Sequence, residues 1–109
     1  MRILAVEGLP EEAVAAAAAF YAGFAARAAA LTGQGDMALV FAPADHTHRA
    51  WRLAAVQGLA RVAAPYRVNA VESDDAEAVA QALAYLQAAP GITGQMLRLD
   101  SQGAGVVLG

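Results

Sequence analysis

Two histidines, His46 and His48, stand beside Asp45 and Arg49 in the stretch PADHTHRAW, and a run of acids follows in ESDD at positions 72–75. Imidazole nitrogens and carboxylate oxygens suit zinc, manganese or iron, and the same groups could hold the polar end of a small molecule. His46, His48, Arg49 and Asp74 are therefore the candidate ligand contacts. Each of these groups also has a plainer use. Asp45 or Thr47 fits the N-cap of the helix that follows, and Asp74 with Glu77 fits a capping box for the next one. On a helix, two histidines two residues apart turn to different faces. Capping and solvation outweigh the metal reading, so no metal site and no catalytic residue is assigned.

These side chains need elements to carry them. RILAVEG reads as a short apolar strand ended by Gly8, and Pro10, Glu11 and Glu12 suit the opening of a helix that runs to about Leu31. Its larger apolar residues Val14, Phe20, Phe24 and Leu31 recur at helical spacing before TGQG stops it. MALVFA is a second strand, and PAD turns the chain into a second helix lasting to Pro65. RVNAV is a third strand, ESDDAEAVAQALAYLQA a third helix closed by PG, and TGQMLRLD a fourth strand. The alternation βαβαβαβ, with connections suited to crossovers, predicts the α/β class: one domain over residues 1–109, with a four-stranded, mainly parallel sheet and three helices.

If consecutive strands are neighbours, right-handed crossovers place their helices on one face of the sheet. Yet ILAV, LVFA and VNAV are almost continuously apolar, the pattern of strands buried on both faces. Either one helix crosses to the other face or another subunit covers it. On this topology the histidine group collects with Glu7, Glu72, Ser73, Asp75 and Asp100 at the C-terminal ends of the strands, where open α/β sheets take ligands.

Composition narrows the partners. The chain has 109 residues, 59% of them hydrophobic and only 16% charged, with a net charge of −3. It is too apolar to be disordered, and no basic run interleaved with aromatics points to nucleic acid. Alanine dominates the apolar fraction, so helices can approach closely. The uncharged stretch from Ala13 to Ala26 falls short of the ~20 apolar residues of a membrane span, so no membrane is expected. Glu7, Glu11 and Glu12 interrupt any signal-peptide core, and the absence of cysteine suits a reducing cytoplasm, the expected location.

From about Asp36 to Gly103 the chain resembles the C-terminal half of the short-chain dehydrogenase/reductase family. AAVQGLAR, RVNAV at the right distance after it, and AYLQAAPGITGQMLRLDSQG carry the resemblance. It implies a Rossmann-like half-domain, with RILAVEG standing where the family's fourth strand would be. The glycine-rich turn that holds a dinucleotide at a helix N-terminus has no counterpart: Gly33 and Gly35 follow a helix and precede a strand, the reverse of the required context. The positions matching the family's tyrosine and lysine hold Arg49 and Leu53. All seven basic residues are arginine, a poor substitute for a lysine that lowers a tyrosine's pKa. The family's serine is replaced within VFAPA, and the proline-glycine expected after VNAV is Ser73 and Asp74. Neither hydride transfer by this chain alone nor a cofactor is expected.

Family members commonly dimerise by pairing the helices that follow their fourth and fifth strands. The resemblance places those helices at Pro10 to Leu31 and at Trp51, making Phe20, Tyr21, Phe24, Trp51 and Gly58 candidate interface residues, with burial in the chain's own core the competing reading for the aromatics. The expectation is a non-catalytic reductase-like domain that forms a homodimer or larger homo-oligomer, or binds a protein partner such as a full-length reductase. The alternative is a small-molecule- or metal-binding protein or enzyme using the polar rim. A third arrangement shares a cofactor with a separate chain that supplies the missing half. The apolar tail GAGVVLG is expected to dock on this chain or a neighbour.

Overall fold

A computed structural model describes residues 1–99 and 105–108, with the backbone alone for Thr32 and for 105–108. Strands β1 (Arg2–Val6), β2 (Met37–Phe41), β3 (Val68–Glu72), β4 (Met96–Leu99) and β5 (Gly105–Leu108) form one sheet in the order β1-β2-β3-β4-β5. The first four are parallel, as the alternation of elements predicts. The tail adds β5 antiparallel to β4, with Met96 opposite Leu108 and Leu99 opposite Gly105. An apolar tail expected to dock thus docks on its own chain, by main-chain pairing.

The first helix, α1 (Ala13–Leu31), starts later than Pro10 and Glu11 suggest. Glu12 is its N-cap, its carboxylate accepting the amides of Val14 and Ala15. The residues that α1 turns to the core, Ala16, Phe20 and Ala28 with the half-buried Phe24, are spaced by fours. On an ideal α-helix that spacing drifts about 40° per step. A π-helical turn at Phe20–Phe24 absorbs the drift, because its extra residue keeps the aromatic stripe aimed at the sheet. Among the described residues, α1 is also the helix long and apolar enough to cross a membrane by length and composition, as the core helix of a soluble protein can be.

A 3₁₀ turn, His46–His48, leads into α2 (Arg49–Ala63), with Asp45 as the cap of the turn. The third helix, α3 (Ala76–Gln87), is capped by Asp75, whose carboxylate accepts the amides of Glu77 and Ala78 at 3.0 and 3.2 Å. The capping box read at Asp74 is therefore displaced by one residue. Asp75 wins because its own amide is held by Ser73 Oγ at 3.0 Å, fixing it in the extended conformation a cap needs.

Alternation along the strands separates two cores. Leu4, Val6, Met37, Leu39, Phe41, Val68, Ala70 and Met96 meet α1 and α2 on one face, whereas Val71 and Leu97 meet Ala82 and Leu86 of α3 on the other. Since the strands step steadily across the sheet, the crossover through α3 has the opposite hand to the two before it. Of the doubly apolar strands, β3 is explained in this way, because one helix does cross and covers it together with β4. Over β1 the second face is open, with Ile3 at 56% exposure.

At the N-terminal ends of the strands a single ion pair closes the sheet. Arg67 donates its amide and Nε to the two Asp36 carboxylate oxygens at 2.8 and 3.0 Å, and Nη2 adds 2.8 Å to the second. Its Nη1 reaches the carbonyls of Leu86 and Ala89, ending α3 against the sheet. The main chain joins in, with the Arg2 amide on Asp36 O and the Met37 amide on Arg67 O. Gly94, at φ 72°, turns the ITGQ segment so that its amide reaches Val68 O at 2.8 Å.

Candidate functional site

Register alone aligns one residue from each parallel strand at the C-terminal edge. Val6 pairs with Phe41, Phe41 with Glu72, and Glu72 with Arg98. Paired residues share a face, so two apolar and two charged side chains form one row beneath α2. Arg52 descends onto that row from the helix. Its guanidinium lies 4.6 Å from the centre of the Phe41 ring, and Nη1 bonds Ala42 O at 2.7 Å and Glu72 Oε2 at 2.9 Å. Glu72 Oε1 takes Arg98 Nε at 3.2 Å. Arg52 and Glu72 are each about 5% exposed. Burial pulls the Arg52 guanidinium below the usual arginine value and the Glu72 carboxylate opposes the shift, but arginine remains charged in proteins.

Beside this row His48 is consumed by structure. The Trp51 indole donates to Nδ1 at 3.0 Å, which leaves Nε2 to carry the proton it gives Glu11 O at 2.7 Å. Both ring nitrogens of this buried imidazole are occupied, and it ties the β1–α1 loop to the start of α2. As a ligand candidate His48 is therefore corrected to a clasp. His46 and Arg49 are exposed, as is Asp74 beyond β3, and Asp100 lies outside the described residues. The histidine group and the acids of the third helix are thus not drawn into one constellation, and among the described residues no three His, Cys, Asp or Glu side chains are grouped as metal ligands. Asp45 is held below the usual carboxylate range by the Thr47 hydroxyl first and the Thr47 amide second.

A cleft of about 290 Å³ opens between the β1–α1 loop and the β2–α2 loop. Leu9, Pro10, Pro43 and Ala44 form its apolar walls, Glu11 and Asp45 stand with them, and His48 and Arg52 complete the lining. Ligand clefts at this edge are what the open α/β architecture provides. Sequence reading found Asp45, His48 and the edge but missed Arg52. Its signal was available: Arg52 lies three and four residues before Ala55 and Val56, on the buried stripe of α2, where a charge demands a buried counter-charge.

The interface candidates divide. Phe20 is fully buried, with ring centroids of Phe41 and Trp51 at 6.0 and 5.6 Å, which corrects its place from interface to core. Phe24 and Trp51 pack partly buried against the same cluster, where an aromatic ring buries most area. Tyr21 is exposed, and Gly58 is half-buried, with the Arg61 guanidinium 4.0 Å from where a Cβ would stand.

A parallel sheet with helices on both faces and a cleft at its C-terminal edge defines a Rossmann-like α/β protein. The family described as short chain dehydrogenase-like matches residues 4–99, and the chain belongs to that family. Comparisons with curated proteins and with solved structures give no match.

Proposed function

We propose that this chain is a non-catalytic short-chain-reductase-like domain that works by self-association through the outer surfaces of α1 and α2. The observation that carries this reading is that α1 is apolar apart from Arg27 yet only 17% of its most apolar 18 residues is buried, leaving Val14 and Tyr21 exposed, while Val62 on α2 is 69% exposed. A helix this apolar is normally enclosed, and an apolar surface of this kind marks an interaction site. Small residues on α2, Ala50, Ala54 and Gly58 at intervals of four, allow a second helix to approach closely. The non-catalytic part of the reading is supported by the two positions where the family resemblance expects tyrosine and lysine. Arg49 is exposed, and Leu53 packs against the apolar core.

Sedimentation velocity on the purified chain should give a dimer or larger species at micromolar concentration. The double substitution Tyr21→Glu with Val62→Glu should convert it to a monomer while leaving the thermal midpoint of the dilute protein unchanged, since neither side chain belongs to the core. A stable monomer of the unsubstituted chain at these concentrations overturns the proposal.

A further inference from the structure

The row at the C-terminal edge is unbalanced. Two guanidinium groups, Arg52 and Arg98, share the single Glu72 carboxylate, one on each oxygen. With all three ionised, the cluster holds one positive charge beyond what it neutralises, and an unpaired charge removed from water is unfavourable. The surplus lies on the Arg52 side, since the Arg98 side chain is 30% exposed and the Arg52 side chain only 6%.

The hydrogen bonds of Arg52 show which part of it is free. Nη1 makes both of its bonds, to Ala42 O and Glu72, while Nε is buried without a partner. Nε and Nη2 therefore have no protein acceptor among the described residues, and of the two only Nη2 is not sealed from solvent, leaving it to take an anion from the cleft. Arg52 is also the buried cation lining the cleft between the two loops. The other polar lining groups do not compete for it. Asp45 is spent on Thr47, His48 on the Trp51 indole and the main-chain carbonyl of Glu11, and the Glu11 carboxylate is exposed and forms no ion pair with Arg52.

We propose that the cleft binds a small monocarboxylate, its carboxylate on Nη2 of Arg52 and its short apolar tail against Leu9, Pro10, Pro43 and Ala44. The volume, about 290 Å³, lies at the low end of known ligand pockets, which fixes the ligand as small. The Glu11 and Asp45 carboxylates in the lining repel a second negative charge, which selects a monoanion over phosphate or a dicarboxylate. The ligand supplies the anion that Glu72, shared between two arginines, cannot.

The test is a titration of the ¹⁵N-labelled chain with sodium butyrate, followed by amide chemical shifts, with sodium phosphate and sodium succinate as parallel arms at matched ionic strength. Butyrate should produce saturable shifts concentrated in the amides of Leu9, Glu11, Ala42, Ala44 and Asp45 and at the Arg52 guanidinium N–H groups, with phosphate and succinate weaker by about tenfold or more. Arg52→Met, which leaves Glu72 paired to Arg98, should abolish the saturable shifts. Ala44→Trp fills the cleft without touching the ion cluster and should abolish them as well, so the test stands even if the first variant fails to fold. Absence of saturation at tens of millimolar butyrate, equal binding of phosphate, or undiminished binding in folded Ala44→Trp each overturns the proposal.

Discussion

The two ends of the sheet each hold a buried or half-buried arginine, and they are built to opposite accounts. At the N-terminal end Arg67 faces one carboxylate, Asp36, and every guanidinium nitrogen has a partner: Nε and Nη2 on Asp36, Nη1 on two carbonyls at the close of α3. At the C-terminal end Arg52 is the more deeply buried of the two, shares its carboxylate with Arg98 and leaves Nε unbonded. A closed account is what a structural joint requires. An open one, beside a cleft and at the edge where this architecture places ligands, is what a binding site requires.

The contrast can be broken most severely at Glu72. Glu72→Gln leaves two guanidinium groups facing each other without an anion and should cost roughly 3–5 kcal/mol of folding stability in urea denaturation. Arg52→Met, measured alongside, should cost far less, about 1 kcal/mol, because it removes the surplus charge and Arg98 keeps Glu72 paired. If the two losses prove equal, the cluster is a balanced structural pair and the contrast fails. At the other end there is no such asymmetry. Arg67→Met should cost roughly 3 kcal/mol, since Asp36 keeps only the main-chain amide of residue 67 and both α3 carbonyls lose their donor.

The smallest effect sharpens the same comparison by pH. The Asp36 carboxyl is held below its ordinary value, first by the Arg67 amide and then by the Arg67 side chain, against the opposing effect of burial. Its folded pKa lies under the unfolded value of about 3.9, so its stabilising contribution is complete above that pH and is lost as pH falls through the folded pKa. As the pH falls from about 5 through the ordinary carboxylate value of about 3.9, stability should fall less steeply in Asp36→Asn than in the parent chain. An unchanged slope removes Asp36 from the acid response.

How much of this was legible before folding can be seen from individual residues. RILAV, MALVF, RVNAV and MLRL announced their strands through continuous apolarity bounded by glycine, proline and acids. The resemblance to the reductase family followed from segments that the family match at residues 4–99 also covers. The cap at Asp75 was missed by one residue, because Asp74 and Asp75 have the same cap chemistry and only the Ser73 bond chooses between them. Phe20 read equally as interface or core, since a helical stripe of aromatics carries no label for what covers it. His48 stayed among the ligand candidates because its partners, Trp51 one turn on and the carbonyl of Glu11 thirty-seven residues back, are invisible in a list of side-chain types. Arg52 was the largest omission, a charge on the apolar stripe of a helix that should have prompted a search for its counter-charge.

The order of amino acids by itself determined the class of fold, the number and direction of the parallel strands and the lack of a lysine beside a family-like helix. These follow from periodicity, turn chemistry and composition, which are local. Only the tertiary structure decided that α3 lies on the opposite face, that the tail becomes a fifth strand, and that Glu72 must serve two arginines at once. Those are outcomes of register and of which distant groups come within bonding distance, and a buried charge has no preferred partner until the sheet brings one beside it.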